Sequence, residues 1–182
     1  MGMIGVADRA RLLALARRAL IAQVERLALP DLPHDLTLTA AGVFVTIYCR
    51  GELRGCLGAL EQVDHVAELV RRLACEVAHA DYRFDPLRAG ELDAVTLDVS
   101  VLTPPQLVAD PGEIVVGRDG LIVESGRHRG LLLPQVATDH GWTRETFLDH
   151  TCVKAGLARD AWRNGATIFR FEAEVFGEDD AD

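Results

Sequence analysis

Between Val95 and Val101 the chain alternates strictly, with Val95, Leu97, Val99 and Val101 apolar and Thr96, Asp98 and Ser100 polar between them. A two-residue period sends successive side chains to opposite faces of a strand, so this run buries one face only. The pattern recurs at Phe169, Phe171, Ala173 and Val175, set against Arg170, Glu172 and Glu174. Strands covered on both faces, as in a buried parallel sheet, read instead as unbroken apolar runs. The chain therefore predicts the α+β class: a mainly antiparallel or mixed sheet with helices on one side.

Helices show a different period. Leu13, Ala16, Leu20, Val24 and Leu27 recur at steps of three and four behind Asp8 as a cap, and Leu29-Pro30 ends the run. A second helix is expected from an Asp64 cap to about Ala80, with Val66, Leu69, Leu73, Val77 and Ala80 facing inward. Pro134 to His140 reads as one or two helical turns. Thr143 opens a third full helix to Ala155, with Gly156 in the position that favours a left-handed residue and Lys154 at the negative end of the dipole. Two hairpins are expected, one joining 43–49 to 52–59 around Arg50-Gly51 and one joining 114–116 to 121–123 around Gly117-Arg118-Asp119-Gly120. Residues 1–177 read as a single domain, with a two-lobe division near 103–113, and 178–182 as a disordered acidic tail.

Composition narrows the function classes. The 182 residues carry a formal charge of −9, which argues against nucleic acid as a partner, because binding its backbone depends on a basic surface. No apolar run reaches the length that spans a bilayer, and the first 30 residues are studded with charges such as Asp8, Arg9, Arg17 and Glu25, so neither membrane insertion nor secretion is expected. Cys49, Cys56, Cys75 and Cys152 form no CxxC pair and stand at no zinc-like spacing from histidine, so free thiols in a reducing cytoplasm are expected, with no metal and no cofactor. Neither a Walker loop nor GxGxxG is present. Oligomeric state is not legible.

The segment richest in chemistry is Leu53-Arg54-Gly55-Cys56-Leu57-Gly58. A three-residue loop of Cys49, Arg50 and Gly51 sorts the apolar residues best, setting Ile47 against Leu53, Val43 against Leu57, Thr46 against Arg54 and Phe44 against Cys56. A two-residue loop at Arg50-Gly51 puts Arg54 beside Ile47 and Cys56 beside Val45. In the first register Arg54 and Cys56 share a face, and a guanidinium beside a thiol favours the nucleophilic thiolate. Gly55 and Gly58 leave room for something to approach the backbone. Against this stands a buried, inert cysteine, since free cysteine is among the most buried residue types. Cys49, Cys75 and Cys152 read as structural. Arg127-His128-Arg129 reads as a solvated basic turn or an anion site, and the histidines pair with no cysteine at sequence level.

These residues bring a family into view. Leu53 to Gly58 resembles the signature hexapeptide Leu-Arg-Gly-Cys-Ile-Gly of the AMMECR-one-like domain family, called in prokaryotes protein A of the AmmeMemoRadiSam system, with Leu57 in place of Ile. Asp81-Tyr82-Arg83-Phe84, Ser100 to Pro104, Gly117 to Leu121, Leu133 to Ala137, Gly141-Trp142, Lys154 to Leu157 and Trp162 resemble further family segments, over about residues 8–176. The resemblance implies an α+β fold of two lobes around a cleft close to the hexapeptide, and association with a Memo-like protein and a radical S-adenosylmethionine protein. It implies no established reaction. Cys56 and Arg54 are then the candidate catalytic pair, and Gly55, Gly58, Arg83, Gln135, Trp142 and Lys154 are candidates for lining the substrate site. A non-catalytic docking surface shaped by the hexapeptide is the competing expectation, and metal transfer through Cys56 and a nearby histidine is a third.

Overall fold

The computed structural model describes residues 4–60 and 64–178 and has an α+β fold. The chain divides into two compact units, one made of 1–102 with 174–182 and the other of 103–173.

In the first unit helix α1 (Val6–Glu25) and helix α2 (Val66–Glu76) pack on a sheet of β1 (Gly42–Cys49), β2 (Glu52–Ala59) and β3 (Val95–Leu102). The order is β2-β1-β3, followed by β7 (Thr167–Gly177), whose final residues belong to this unit. β1 is antiparallel to both of its neighbours. Val43, Val45 and Ile47 of β1 and Val95, Leu97 and Val99 of β3 lie in one core with Leu12, Leu15, Ala16, Leu20, Val66, Val70 and Leu73 of the helices. The period-two reading of β3 thus names the core residues of that strand.

The helix limits differ from expectation. α1 begins after Gly5, with Asp8 inside its first turn rather than capping it, and closes on Arg26 in the left-handed region at φ 60°, four residues before Pro30. Leu27 is therefore exposed, while Leu12, Leu15 and Ala19 join the expected Ala16 and Leu20 on the buried face. α2 starts after His65 rather than at an Asp64 cap, and Ala80 lies beyond its end. Glu178, grouped at sequence level with a disordered tail, is half-buried: its carboxylate pairs with Arg17 and accepts from the Leu97 amide at 2.9 Å. Residues 179–182 of that tail lie outside the described residues.

The second unit contains β4 (Gln106–Leu107), β5 (Asp119–Ser125), β6 (His128–Leu132), helix α3 (Pro134–Asp139), helix α4 (Arg144–Lys154) and most of β7. β5 pairs antiparallel with β6 and with β7, and β4 pairs with β7. Val108, Ile114, Leu121, Ala137, Phe147, Leu148 and Ile168 make its core. α4 follows expectation: Thr143 caps it by accepting from the Thr146 amide at 3.3 Å, and Gly156 follows with φ 75°.

The second hairpin is displaced from its predicted place. Residues 114–116 form no strand, and the hairpin is β5–β6, turning at Gly126-Arg127. Asp119 is no turn residue. Its side chain is buried, accepting from the Val115 amide at 2.8 Å and from Arg118, so it ties the 115–119 turn to the start of β5. Burial pushes its carboxyl up, but the Arg118 hydrogen bond and the nearby Arg170 outweigh that and leave it lowered. β7 departs from one alternation, since Ile168 and Phe176 are buried while Val175 is exposed. Ile168 belongs to one core and Phe176 to the other.

Candidate functional site

The site begins with the turn between β1 and β2. Arg50 and Gly51 both have positive φ, 53° and 82°, the conformation of a two-residue hairpin turn that matches strand twist. Cys49 accordingly faces Glu52 and Tyr48 faces Leu53. One residue later the register shifts, so that Ile47 faces Gly55 and Arg54 is the unpaired extra residue of a bulge. From there Thr46 faces Cys56, Val45 faces Leu57, Phe44 faces Gly58 and Val43 faces Ala59. Neither register read from the sequence holds along the whole hairpin. The three-residue-loop register is found at no pair; the two-residue turn sets the first two pairs, and the bulge then shifts the pairing one residue further, which keeps Cys56 off the core face lined by Val43, Val45 and Ile47.

Cys56 is a free, half-buried thiol. Its Sγ accepts from the Thr46 hydroxyl at 3.3 Å, and its amide donates to Asp81 Oδ2 at 2.9 Å. Asp81, in the turn after α2, is 4% exposed. It also accepts from Arg83 Nε at 2.9 Å, Arg83 Nη2 at 2.7 Å and the Arg83 amide at 3.2 Å. The hydrogen bonds from Arg83 hold the Asp81 carboxyl well below the usual carboxylate range, against burial, which pushes it up. Arg83 is raised in turn, by its hydrogen bond to Asp81 first and more weakly by the Cys56 sulfur. On the same sheet the Tyr48 hydroxyl is raised by burial first, and by Asp98 and Cys56.

Arg54 is engaged elsewhere. Its Nε donates to Glu91 Oε1 at 2.9 Å, Nη2 to Glu91 Oε2 at 3.3 Å and Nη1 to the Asp85 carbonyl at 2.9 Å. Glu91 is lowered chiefly by this contact and also accepts from the Arg88 amide. The guanidinium carbons of Arg54 and Arg83 lie 6.0 and 5.5 Å from the centre of the Phe84 ring.

The space at the two glycines is filled by this chain. A Cβ on Gly55 would lie 3.1 Å from Val77 Cγ2, and one on Gly58 would lie 2.2 Å from the Phe44 ring. Of the other sequence candidates, Gln135, Trp142 and Lys154 belong to the second unit. Gln135 and Lys154 are exposed. Trp142 is stacked between His140 at 4.8 Å and His150 at 4.1 Å. The basic turn is paired, Arg129 to Glu124 and His128 to the Ala155 carbonyl. Sequence reasoning missed Asp81, Glu91 and Thr46. Asp81 had a signal: an Asp two residues before an Arg can close an Asx turn and a salt bridge together. Glu91, 37 positions from Arg54, had none.

Among the described residues no group of three or more His, Cys, Asp or Glu is placed to hold a metal ion, and no helix is long and apolar enough to cross a membrane.

Comparison with known proteins gives the same family throughout. The AMMECR1 family model matches residues 13–176. A protein of Thermofilum pendens is 44% identical over 198 aligned residues, covering 98% of this chain and 93% of its own. A protein of Methanothermobacter thermautotrophicus is 47% identical, covering 85% and 84%. The crystal structure of the uncharacterized protein PH0010 from Pyrococcus horikoshii superposes with a TM-score of 0.82 at 39% identity, covering 96% of this chain and 93% of that one. With its hexapeptide, its fold and these matches, the chain belongs to the AMMECR1 family.

Proposed function

We propose that this chain is a cytoplasmic component of a system that includes a Memo-like protein and a radical S-adenosylmethionine protein, and that Cys56 is its nucleophile or acceptor thiol. The observation that carries this reading is the setting of Cys56: a free thiol oriented by Thr46, with its backbone pinned to a carboxylate that also holds an arginine. Fixing both the sulfur and the neighbouring cation is the preorganisation that nucleophilic catalysis uses.

Site-resolved alkylation tests it. Cys56 is expected to label in the folded protein near neutral pH. Burial raises the thiols of Cys75 and Cys152, so less of each is thiolate at any given pH, and their labelling is expected to need more alkaline solution. A Cys56 that stays silent until the protein unfolds removes the reading. Co-purification with the Memo-like protein, lost in Cys56→Ala, is the corresponding test of partnership.

A second reading is favoured by the two glycines, which fit under Val77 and Phe44. The hexapeptide then serves to build a docking surface. On that reading Cys56→Ser leaves partner binding intact, while Gly58→Ala weakens it.

A further inference from the structure

Resting on Cys56 as the reactive thiol, we propose that the site accepts a substrate bearing a small oxyanion, carboxylate or phosphate, and that Arg83 rather than Arg54 is the group that binds it. The two arginines flank one phenylalanine, but their hydrogen-bonding capacity differs. All three nitrogens of Arg54 donate within the protein, and its side chain is 17% exposed. Arg83 spends only Nε and Nη2, both on Asp81, and its side chain is 45% exposed. Its Nη1 has no partner among the described residues, so both N–H groups of Nη1 and the second of Nη2 remain for a ligand.

Asp81 anchors one edge of this guanidinium beside the Cys56 backbone. Asp81 Oδ2 accepts from Arg83 Nη2 at 2.7 Å and from the Cys56 amide at 2.9 Å, so a single oxygen joins the guanidinium to the backbone that carries the thiol. Asp81 offsets much of the charge of Arg83. Recognition then comes from directed, charge-assisted N–H donors more than from a long-range field. Arginine is suited to this, because its planar fork can serve a carboxylate on one edge while presenting the other.

Two alkylating reagents of similar size read this out. With iodoacetate or iodoacetamide the Cys56 thiolate attacks the methylene carbon, the carbon–iodine bond breaks, iodide leaves and a thioether forms; only iodoacetate is an anion. Relative to a small free thiol in the same buffer, Cys56 is expected to favour iodoacetate over iodoacetamide by about fivefold, less than the roughly tenfold or more of an uncompensated charged cleft because Asp81 offsets much of the Arg83 charge. Arg83→Gln is expected to abolish the preference and Arg83→Lys to keep part of it. Arg18→Gln, which removes one exposed charge of α1, serves as the charge control and is expected to leave the preference in place.

Protection in the unmodified protein makes the test independent of whether the Arg83 variants fold. Inorganic phosphate or acetate at millimolar concentration is expected to slow iodoacetate labelling of Cys56. Protection by phosphate alone assigns the site to phosphate-bearing substrates, and protection by acetate to carboxylates. Labelling with no preference for iodoacetate and no protection by either ion overturns the oxyanion inference while leaving the reactive thiol standing. If neither reagent labels Cys56, the reactive-thiol reading itself fails.

Discussion

Asp81 accepts four hydrogen bonds, three from Arg83 and one from the Cys56 amide, with a side chain that is 4% exposed. Its carboxyl titrates lower in the folded chain than in the unfolded one. Such a group stabilises the fold above its unfolded value and loses that contribution as pH falls toward the folded value. The wild-type chain is therefore expected to lose stability below about pH 4, the ordinary aspartate range. Asp81→Asn should flatten that acid limb and cost about 1–3 kcal/mol near neutral pH, as the loss of hydrogen bonds between charged groups does. Urea midpoints measured between pH 2.5 and 7 check both outcomes. The sequence displayed this residue inside Asp81-Tyr82-Arg83-Phe84, yet nothing in one dimension shows its carboxylate reaching back to residue 56. Of this motif only Arg83 was legible as a candidate, and that came from the family resemblance rather than from spacing.

At the scale of the element, the β1–β2 hairpin shows where sequence reasoning reaches its limit. Alternation located both strands, and the Arg-Gly pair located the turn. Register failed twice: apolar sorting favours a three-residue loop where the turn has two residues, and a bulge follows, a single extra residue with no compositional mark at Arg54. Arg50 is a non-glycine residue with φ 53°, a region that asparagine tolerates better. Arg50→Asn is expected to stabilise the chain by about 0.5–1 kcal/mol, raising the thermal midpoint. Gly58→Ala places a methyl group against the Phe44 ring and should destabilise by about 1–3 kcal/mol. Combining it with Phe44→Ala should return part of that loss, a coupling of about 1 kcal/mol in a double-mutant cycle followed by chemical denaturation. Helix α4 was read correctly because its start and stop are both written locally, in Thr143 and Gly156. α1 was not, because Arg26 ends it in a conformation its residue type does not announce.

For the whole molecule the governing fact is that each unit has its own core. Phe147 is fully buried in the smaller one. Phe147→Ala is expected to cost about 3–5 kcal/mol. Native-state hydrogen exchange should show the loss of protection first in β5, β6 and α4, with β1 and β3 affected less; uniform loss would mean that the units open only together. Sequence reading expected a two-lobe division near 103–113. It could not mark the return, which falls within the continuous strand β7. That return orders events during synthesis. The ribosome delivers residues 4–102 first, yet Phe176, which fills their core, and Glu178, which pairs with Arg17, are made after every residue of 103–173. The half of the protein that is born first is thus the half that must wait to be finished, and a chain cut short after residue 173 would show its damage around α1.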